Sequence, residues 1–522
     1  MGREPGTFFK KNMKILTFVL ATILQLSTLS IGGTASSDPY KRLETAFSEK
    51  RSYYIMDEDV NLKGRTIRLP KDAVIDFRGG RFINGKVYCD NNHITGYAGL
   101  AEDVSLDGSI LGPLDLSVFV IRRDDSKFDI GPVLNKAVGI CKSIIVPEGV
   151  FYFKTPIVLC DIKYYQQFGD LIYNGKSKNV TAIRFLNAFS SVVSINGRVL
   201  YDIDSKVIDY SKGKRTNIIG IEFANFNNCT VFVNDVEYFN NNIRVSAYGC
   251  GNCYNKYTIN LSVFSNEHLR IYQEDYPSKQ IGWCNENVFI GGRYCNWSHF
   301  DWNKCESHAI VIRGSDNNDT YNSVNSLLFI KPCMEGFKDY TVWAKNVTGC
   351  HWLDARTEDS DGFVKFLGTC INNQVETSYG TKTIDYDECM TYPTTLGSLI
   401  PVYSTTKPNE GVLEINTQEA KIFSVRFNDT NAKARVGIQY LSDSKGKTIG
   451  RTNQKAMMRP RSSSYPYTFY YNDGSSQWKL GADSSECEFV VPEGVSKIKM
   501  SLTGSYTGVT IYSDRVVKIT ER

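Results

Sequence analysis

The stretch FIKPCME, Phe329 to Glu335, lines up with WLDARTE, Trp352 to Glu358, at an offset of 23 residues (358 − 335). If the chain stacks such phrases one above another, Glu335 and Glu358 lie about one strand spacing apart, ~5 Å. Two carboxyl groups that close do not both ionise cheaply, so one is expected to hold its proton, and such pairs often mark functional sites. The same alignment puts Arg293, Cys333 and Arg356 in one column, and Cys295, Glu335 and Glu358 in the next but one. A plainer alternative has Glu335 in a turn, paired with Arg356.

A second set of groups surrounds the inserted segment NWSHFDWNKCE. Tyr294, His299, Lys304, Glu306 and His308 fall within fifteen positions, and the chain has only five His. His299, Lys304 and His308 are candidate bases and Tyr294 a candidate acid. Arg293 and Arg356 are candidate neutralisers of negative charge. Trp297 and Trp302 flank His299, where aromatic faces beside polar groups suit sugar stacking, and Glu306 completes a binding set. The plainer alternatives are a satisfied His308 at the edge of a coil and tryptophans that anchor a loop. Arg313 aligns with Lys345 on another face.

Metal and redox signals are weak. DNND, Asp316 to Asp319, offers hard oxygen ligands for Ca²⁺ but lacks EF-hand spacing, so a turn is expected. CGNC, Cys250 to Cys253, has no second pair at zinc-ribbon distance. A local disulfide or buried thiols is the expectation there. No metal ligand set is assigned; the pattern demands no cofactor and leaves Ca²⁺ open.

These groups need elements to place them. YTVWAKN, from Tyr340, aligns with FVKFLGT, from Phe363, also at 23 residues (363 − 340). Upstream, Phe289 falls on Phe329 and SHAIVIRG on DYTVWAKN, with the insertion between them. A period of 23 suits one coil of a solenoid, whose faces are buried only by stacking. It is short for a βαβ unit and for a propeller blade, and leucine-rich spacing is absent. Nearer the N-terminus, TIRL, AVIDF, KVYC and HITG read as strands between turns. Ile130, Val133, Leu134, Ala137 and Val138 follow a helical rhythm, and the strand–turn–strand IIVPEGVFYF comes next.

Helix, strand, Pro-x-Gly turn and strand resemble the entry to the pectate-lyase-like right-handed parallel β-helix superfamily, over about thirty residues of IGPVLNKAVGICKSIIVPEGVFYF and its flanks. The resemblance implies an enzyme acting on polysaccharides, a lyase or a hydrolase. A lyase would use a base on the sugar C5 proton, a cation at the carboxylate and an acid at the leaving oxygen. The residues above supply one set. The favoured expectation is β-elimination in a uronate-containing polysaccharide, a glycosaminoglycan such as chondroitin or dermatan sulfate, or a pectin. The alternatives are a glycoside hydrolase using Glu335 and Glu358 and a non-catalytic glycan-binding β-helix. Neither the Asp-rich motifs of polygalacturonases nor the calcium pattern of pectate lyases is evident.

The expected fold is all-β: a right-handed parallel β-helix over residues 40–392, then a C-terminal antiparallel β-sandwich over 408–522. From VLEINTQ onward the strands lengthen and alternate in period two, as a sandwich requires. Lys10, Lys11 and Lys14 before ILTFVLATILQLSTLSIGG, with small residues after it, read as a signal peptide over residues 1–36. A retained anchor is the alternative. The expected protein is secreted or periplasmic, a monomer, and off the membrane once the signal is cleaved. The charge balance, 60 basic against 56 acidic residues, gives no reason to expect nucleic acid. Fourteen cysteines in 522 residues are too few for a disulfide scaffold.

Overall fold

Short runs of alternating apolar and polar side chains, bounded by Gly, Asn or Asp, bury one face of a strand and leave the other wet. In the computed structural model of the chain nearly all such runs are strands. It describes residues 29–30, 38–205, 208–210, 216–273, 282–296, 306–315, 324–370, 373–380, 384–390, 400–406, 412–417, 420, 422–428, 435–442, 455–460, 468–471, 477–479, 484–491, 495–503, 506–515 and 517–521. They fall into two units, one within Met1–Asp209 and Thr216–Phe239, the other within Tyr210–Arg215 and Asn240–Arg522.

In the first unit, strands Tyr53–Met56, Val74–Phe77 and Gly85–Gly96 pair in parallel. KVYC and HITG thus belong to one long strand. The helix expected near Ile130 is Gly131–Ile140, with Leu134, Ala137 and Val138 buried. Asn135 fixes it to the next coil: its amide donates to the Pro156 carbonyl oxygen (2.9 Å) and its own oxygen accepts from Val158 N–H (2.8 Å). A helix not anticipated, Pro39–Ser48, buries Tyr40, Leu43, Ala46 and Phe47.

Coils follow. Ser143–Val146, Tyr164–Gln167, Val192–Tyr201 and Thr230–Glu237 stack in parallel as one sheet. Ile157–Cys160, Asn179–Leu186 and Asn217–Ala224 form another. Inward aromatics continue from coil to coil: Phe153, Tyr173, Tyr201 and Phe239 have successive ring centroids 5.2, 6.2 and 5.9 Å apart.

The second unit carries three parallel sheets. One stacks Lys256–Val263, Val288–Cys295, Cys333–Glu335, His351–Glu358 and Gln374–Tyr379. The next stacks Asn241–Ala247 through Ile384–Met390. A third is built on Gly251–Cys253 and Trp283–Asn285. Three faces per coil make a parallel β-helix, with the right-handed sense that parallel crossovers favour. Tyr257, Phe289, Phe329 and Trp352 form an interior column with centroids 5.0, 5.0 and 5.2 Å apart and rings within 12° of parallel. Phe289 sits on Phe329 as the repeat requires. The companion repeat is offset by 22 residues, not 23: Tyr340 pairs with Gly362 and Val342 with Val364. Burial decides this register. Val342, Ala344, Val364 and Phe366 are all interior, and a slip of one residue would turn one strand's apolar set outward.

Parallel pairing ends with Ile384–Met390, and antiparallel pairing begins with Ile400–Thr405. Two antiparallel sheets then share a core that includes Phe423, Val425, Ile438, Phe489, Ile498 and Ile511, which is the sandwich. Most of the proposed signal segment lies outside the described residues; Leu29 and Ser30 pair with Tyr54 and Ile55. No described helix is long and apolar enough to cross a membrane.

Candidate functional site

The predicted columns form. Arg293 pairs with Cys333 and Cys333 with Arg356; Cys295 pairs with Glu335 and Glu335 with Glu358. Backbones in such partners are ~4.8 Å apart. The two carboxylates face different cations. Glu335, almost buried, accepts from Arg293 Nη2 at 3.2 Å and from the Cys333 thiol at 3.1 Å. Glu358 accepts from Arg356 Nε at 2.7 Å. Glu335 therefore pairs with Arg293 rather than Arg356, and it ends a strand rather than sitting in a turn. Burial, then the hydrogen bond to Glu335, pushes the Cys333 thiol up to about 11.

His308 opens the strand after the insertion and is buried. Its Nδ1 donates to the Tyr340 carbonyl oxygen at 2.8 Å, and its Nε2 lies 3.8 Å from Glu306 Oε1. Burial pulls its pKa down. The hydrogen bonds to Glu306 and Tyr340, with the charges of Glu267 and Asp339, outweigh that and leave it raised.

Tyr294 corrects an expectation. It is 1% exposed, packed edge-on to His268 at 6.2 Å, and burial pushes its phenol pKa well up. Arg293 and Tyr294 are consecutive in a strand, so when the arginine faces outward the tyrosine faces the core; it is no acid for a substrate. Trp297, His299, Trp302, Lys304 and the DNND segment lie outside the described residues. Cys250 and Cys253 are both free thiols. Arg313 pairs with Lys345 in the neighbouring sheet, as expected. Among the described residues no group of three or more His, Cys, Asp or Glu is arranged to hold a metal.

His268 is fully buried in a satisfied network. Asn242 donates to Ser262 Oγ (2.9 Å), Ser262 Oγ lies 3.0 Å from His268 Nδ1, and Nε2 lies 3.1 Å from Asn296 Oδ1. Burial pulls its pKa down to about 3, so it packs as a neutral ring, closed to substrate.

Sequence reasoning missed Tyr379. It stands 23 residues beyond Arg356 (379 − 356), pairs with it in register, and is 61% exposed, with the guanidinium 5.5 Å from its ring centroid. Carrying the repeat one coil further would have found it.

A second cluster was also missed, and it belongs wholly to the first unit. GDLIY, Gly169 to Tyr173, and GRVLY, Gly197 to Tyr201, are one phrase 28 residues apart (198 − 170), and NDVEYF, Asn234 to Phe239, is its altered third copy. The repeat is visible in the sequence. A register shift between Ile195 and Arg198 disguises the third copy and brings Arg198 opposite Asp235. The close stacking needs glycine: a Cβ on Gly197 would lie 2.0 Å from the Gly169 carbonyl oxygen.

Asp170, Arg198, Asp235 and Glu237 thus gather on one face. Arg198 holds Asp170 through Nε (3.0 Å), Nη2 (2.7 Å) and its backbone N–H (2.8 Å). Asp235 is 7% exposed and its Oδ1 is buried with no hydrogen-bond partner. Burial first, then the charge of Glu237 and a side-chain hydrogen bond with it, push Asp235 up to about 8, against the pull of Arg198. Asp235 therefore keeps its proton near neutral pH, with the Glu237 carboxyl group two residues along the same strand. Glu237 is the more exposed of the two.

No family model and no curated protein matches the chain. Among solved structures it is similar to the enzymatically active domain of bacteriophage CBA120 tailspike protein 2 (TM-score 0.34, 10% identity, 77% of this chain and 79% of that one). It is also similar to a double mutant of the tailspike protein of E. coli bacteriophage HK620 (0.34, 11%, 95% and 94%). A third is the tailspike protein of Acinetobacter baumannii phage AM24 (0.26, 10%, 95% and 85%). Likenesses this weak carry no argument about what the chain does. The class, a parallel β-helix followed by an antiparallel sandwich, stands on the strand pairing above.

Proposed function

We propose that the protein is a glycan-cleaving enzyme of the β-helix kind, and that it works by hydrolysis at the Asp170–Arg198–Asp235–Glu237 cluster. One observation carries this reading: Asp235 and Glu237 sit side by side on a β-helix face with a buried, unpartnered carboxyl oxygen between strand and solvent. Glycoside hydrolysis needs one carboxyl group that keeps its proton and one that stays ionised. The Asp235–Glu237 pair supplies the first. Asp170, held by three hydrogen bonds from Arg198, is the neighbouring carboxyl group placed for the second role.

In this mechanism the proton held by Asp235 passes by way of the Glu237 carboxyl group, which hydrogen-bonds it, to the glycosidic oxygen, and the bond to the anomeric carbon breaks. Water attacks that carbon and loses its proton to Asp170. Asp170 and Asp235 stand on strands either side of Arg198, ~10 Å apart at the backbone by two strand spacings. That supports the inverting arrangement, in which carboxyl groups are ~6.5–9.5 Å apart with water between. The basic-then-apolar N-terminal segment supports export.

β-Elimination is the second reading. Arg293 and Arg356 stand exposed in one column of the second unit, with Tyr379 in place of Tyr294 as the exposed phenol. The test is a panel of neutral and uronate polysaccharides. Hydrolysis gives new reducing ends without the ultraviolet absorbance of an unsaturated uronate, and Asp235→Asn and Glu237→Gln abolish it. Appearance of that chromophore, with both variants fully active, overturns the hydrolytic assignment.

A further inference from the structure

The second unit presents a face that the hydrolytic cluster does not use. Arg293, Cys333, Arg356 and Tyr379 pair in turn across adjacent parallel strands, with a register shift just before the Arg356–Tyr379 pair. Tyr379 is the most exposed member, and the Arg356 guanidinium packs near its ring. Such a contact, together with the Glu358 carboxylate that grips Arg356 from the same strand, limits the side chain's freedom. Arg293 is held in the same way by Glu335.

The charges on this face are matched. Two guanidinium groups meet two carboxylates, Arg293 with Glu335 and Arg356 with Glu358. A polyanion would have to compete with a carboxylate already placed at each cation. A neutral sugar ring would not. Its apolar face can stack on Tyr379, and its hydroxyls can both donate to Glu358 and accept from Arg356.

We infer that this column is a glycan-binding platform for a neutral chain, with Tyr379 as the stacking surface and the Arg–Glu pairs as its hydrogen-bonding edge. The inference rests on the glycan-cleaving reading for the class of ligand, but on none of its catalytic residues. It also turns away from the uronate or sulfated substrate that exposed arginines suggest at first sight.

Calorimetric titration of the full chain checks it. The probes are hexasaccharides of cellulose, mannan, xylan and chitin, with oligogalacturonate and chondroitin sulfate oligosaccharides as the charged comparison, each at low and high salt. The platform predicts that at least one neutral probe binds most tightly and with little salt dependence. Tyr379→Ala weakens that binding at least tenfold while Tyr379→Phe keeps it; thermal unfolding confirms that both variants are folded. Binding of the charged probes ahead of every neutral one, an affinity indifferent to Tyr379→Ala, or no binding of any neutral probe overturns the inference. The same titration with Asp235→Asn separates the two proposals. If the platform stands, adding Tyr379→Ala to Asp235→Asn weakens neutral-probe binding at least tenfold relative to Asp235→Asn alone, whether or not that variant still cleaves; an unchanged affinity overturns it.

Discussion

Asp235 holds an unpartnered carboxyl oxygen in a nearly closed site, an arrangement that disfavours ionisation. Its amide analogue removes the problem and the proton together. Asp235→Asn should therefore lower the rate of glycan cleavage by ~10²–10⁴, the range for a lost general acid. It should also raise stability at pH 8 by on the order of 1–3 kcal/mol, as relief of a poorly solvated polar group does. A gain in melting temperature with a loss of rate is the signature of a functional group; a purely structural one would lose both. Glu335→Gln should act differently. It removes the charge facing Arg293, whose guanidinium is half in water, and should cost ~1 kcal/mol or less with cleavage nearly unchanged. Rate measurement beside thermal unfolding distinguishes the two. The Glu335–Glu358 register was legible because its repeat is uninterrupted. Asp235 was not, because the copies of its phrase are 28 and 37 residues apart (198 − 170, 235 − 198) and the strand of the second copy is bulged against the third. What no spacing discloses is the counter-ion: that Arg293 rather than Arg356 meets Glu335 depends on side-chain direction.

The coil is the element that repeats, and its inner columns set the register. Trp352 ends the stacked series Tyr257, Phe289, Phe329 and is fully buried. Trp352→Ala should cost ~3–5 kcal/mol, the usual penalty for emptying such a site, measured by denaturant unfolding. The turns have their own ladder. Asn287 accepts from Asn255 N–H (3.0 Å) and Nδ2 (2.9 Å) and donates to the Asn252 carbonyl oxygen (2.7 Å). Asn287→Ala strands buried donors and should cost ~1–3 kcal/mol for each group left unpaired. Strand positions were largely readable from alternation, as was the helix at Gly131–Ile140. The helix Pro39–Ser48 escaped because its apolar residues follow directly on a segment read as targeting signal. The slip between 22 and 23 residues arose because Tyr340 and Phe363 match in character but not in burial: Tyr340 is partly exposed and Phe363 interior.

For the whole molecule, two groups make stability depend on pH in one direction. Asp235 has a folded pKa above the ~3.9 of an unfolded aspartate. Its contribution is full below that value, declines as pH rises and is gone above about 8. His308 is raised too, so its contribution is present below ~6.5 and lost as pH climbs through its folded pKa. Below ~6.5 the lowered pKa of His268 works the other way, so melting temperature should fall between about pH 6.5 and 8, and Asp235→Asn should flatten much of that slope. The change from parallel to antiparallel pairing between Met390 and Ile400 was legible, because exposed-face alternation replaces the short coil strands there.

The most direct measurement is the release of reducing ends from the cleaved glycan across pH 4 to 9 by the wild type, Asp235→Asn and Glu237→Gln. The wild-type rate should fall on the alkaline side near pH 8, where Asp235 loses its proton, and neither variant, both folded and at least ~100-fold slower, should show such a limb. Wild-type rates in both variants, or a profile flat through pH 8, would contradict it.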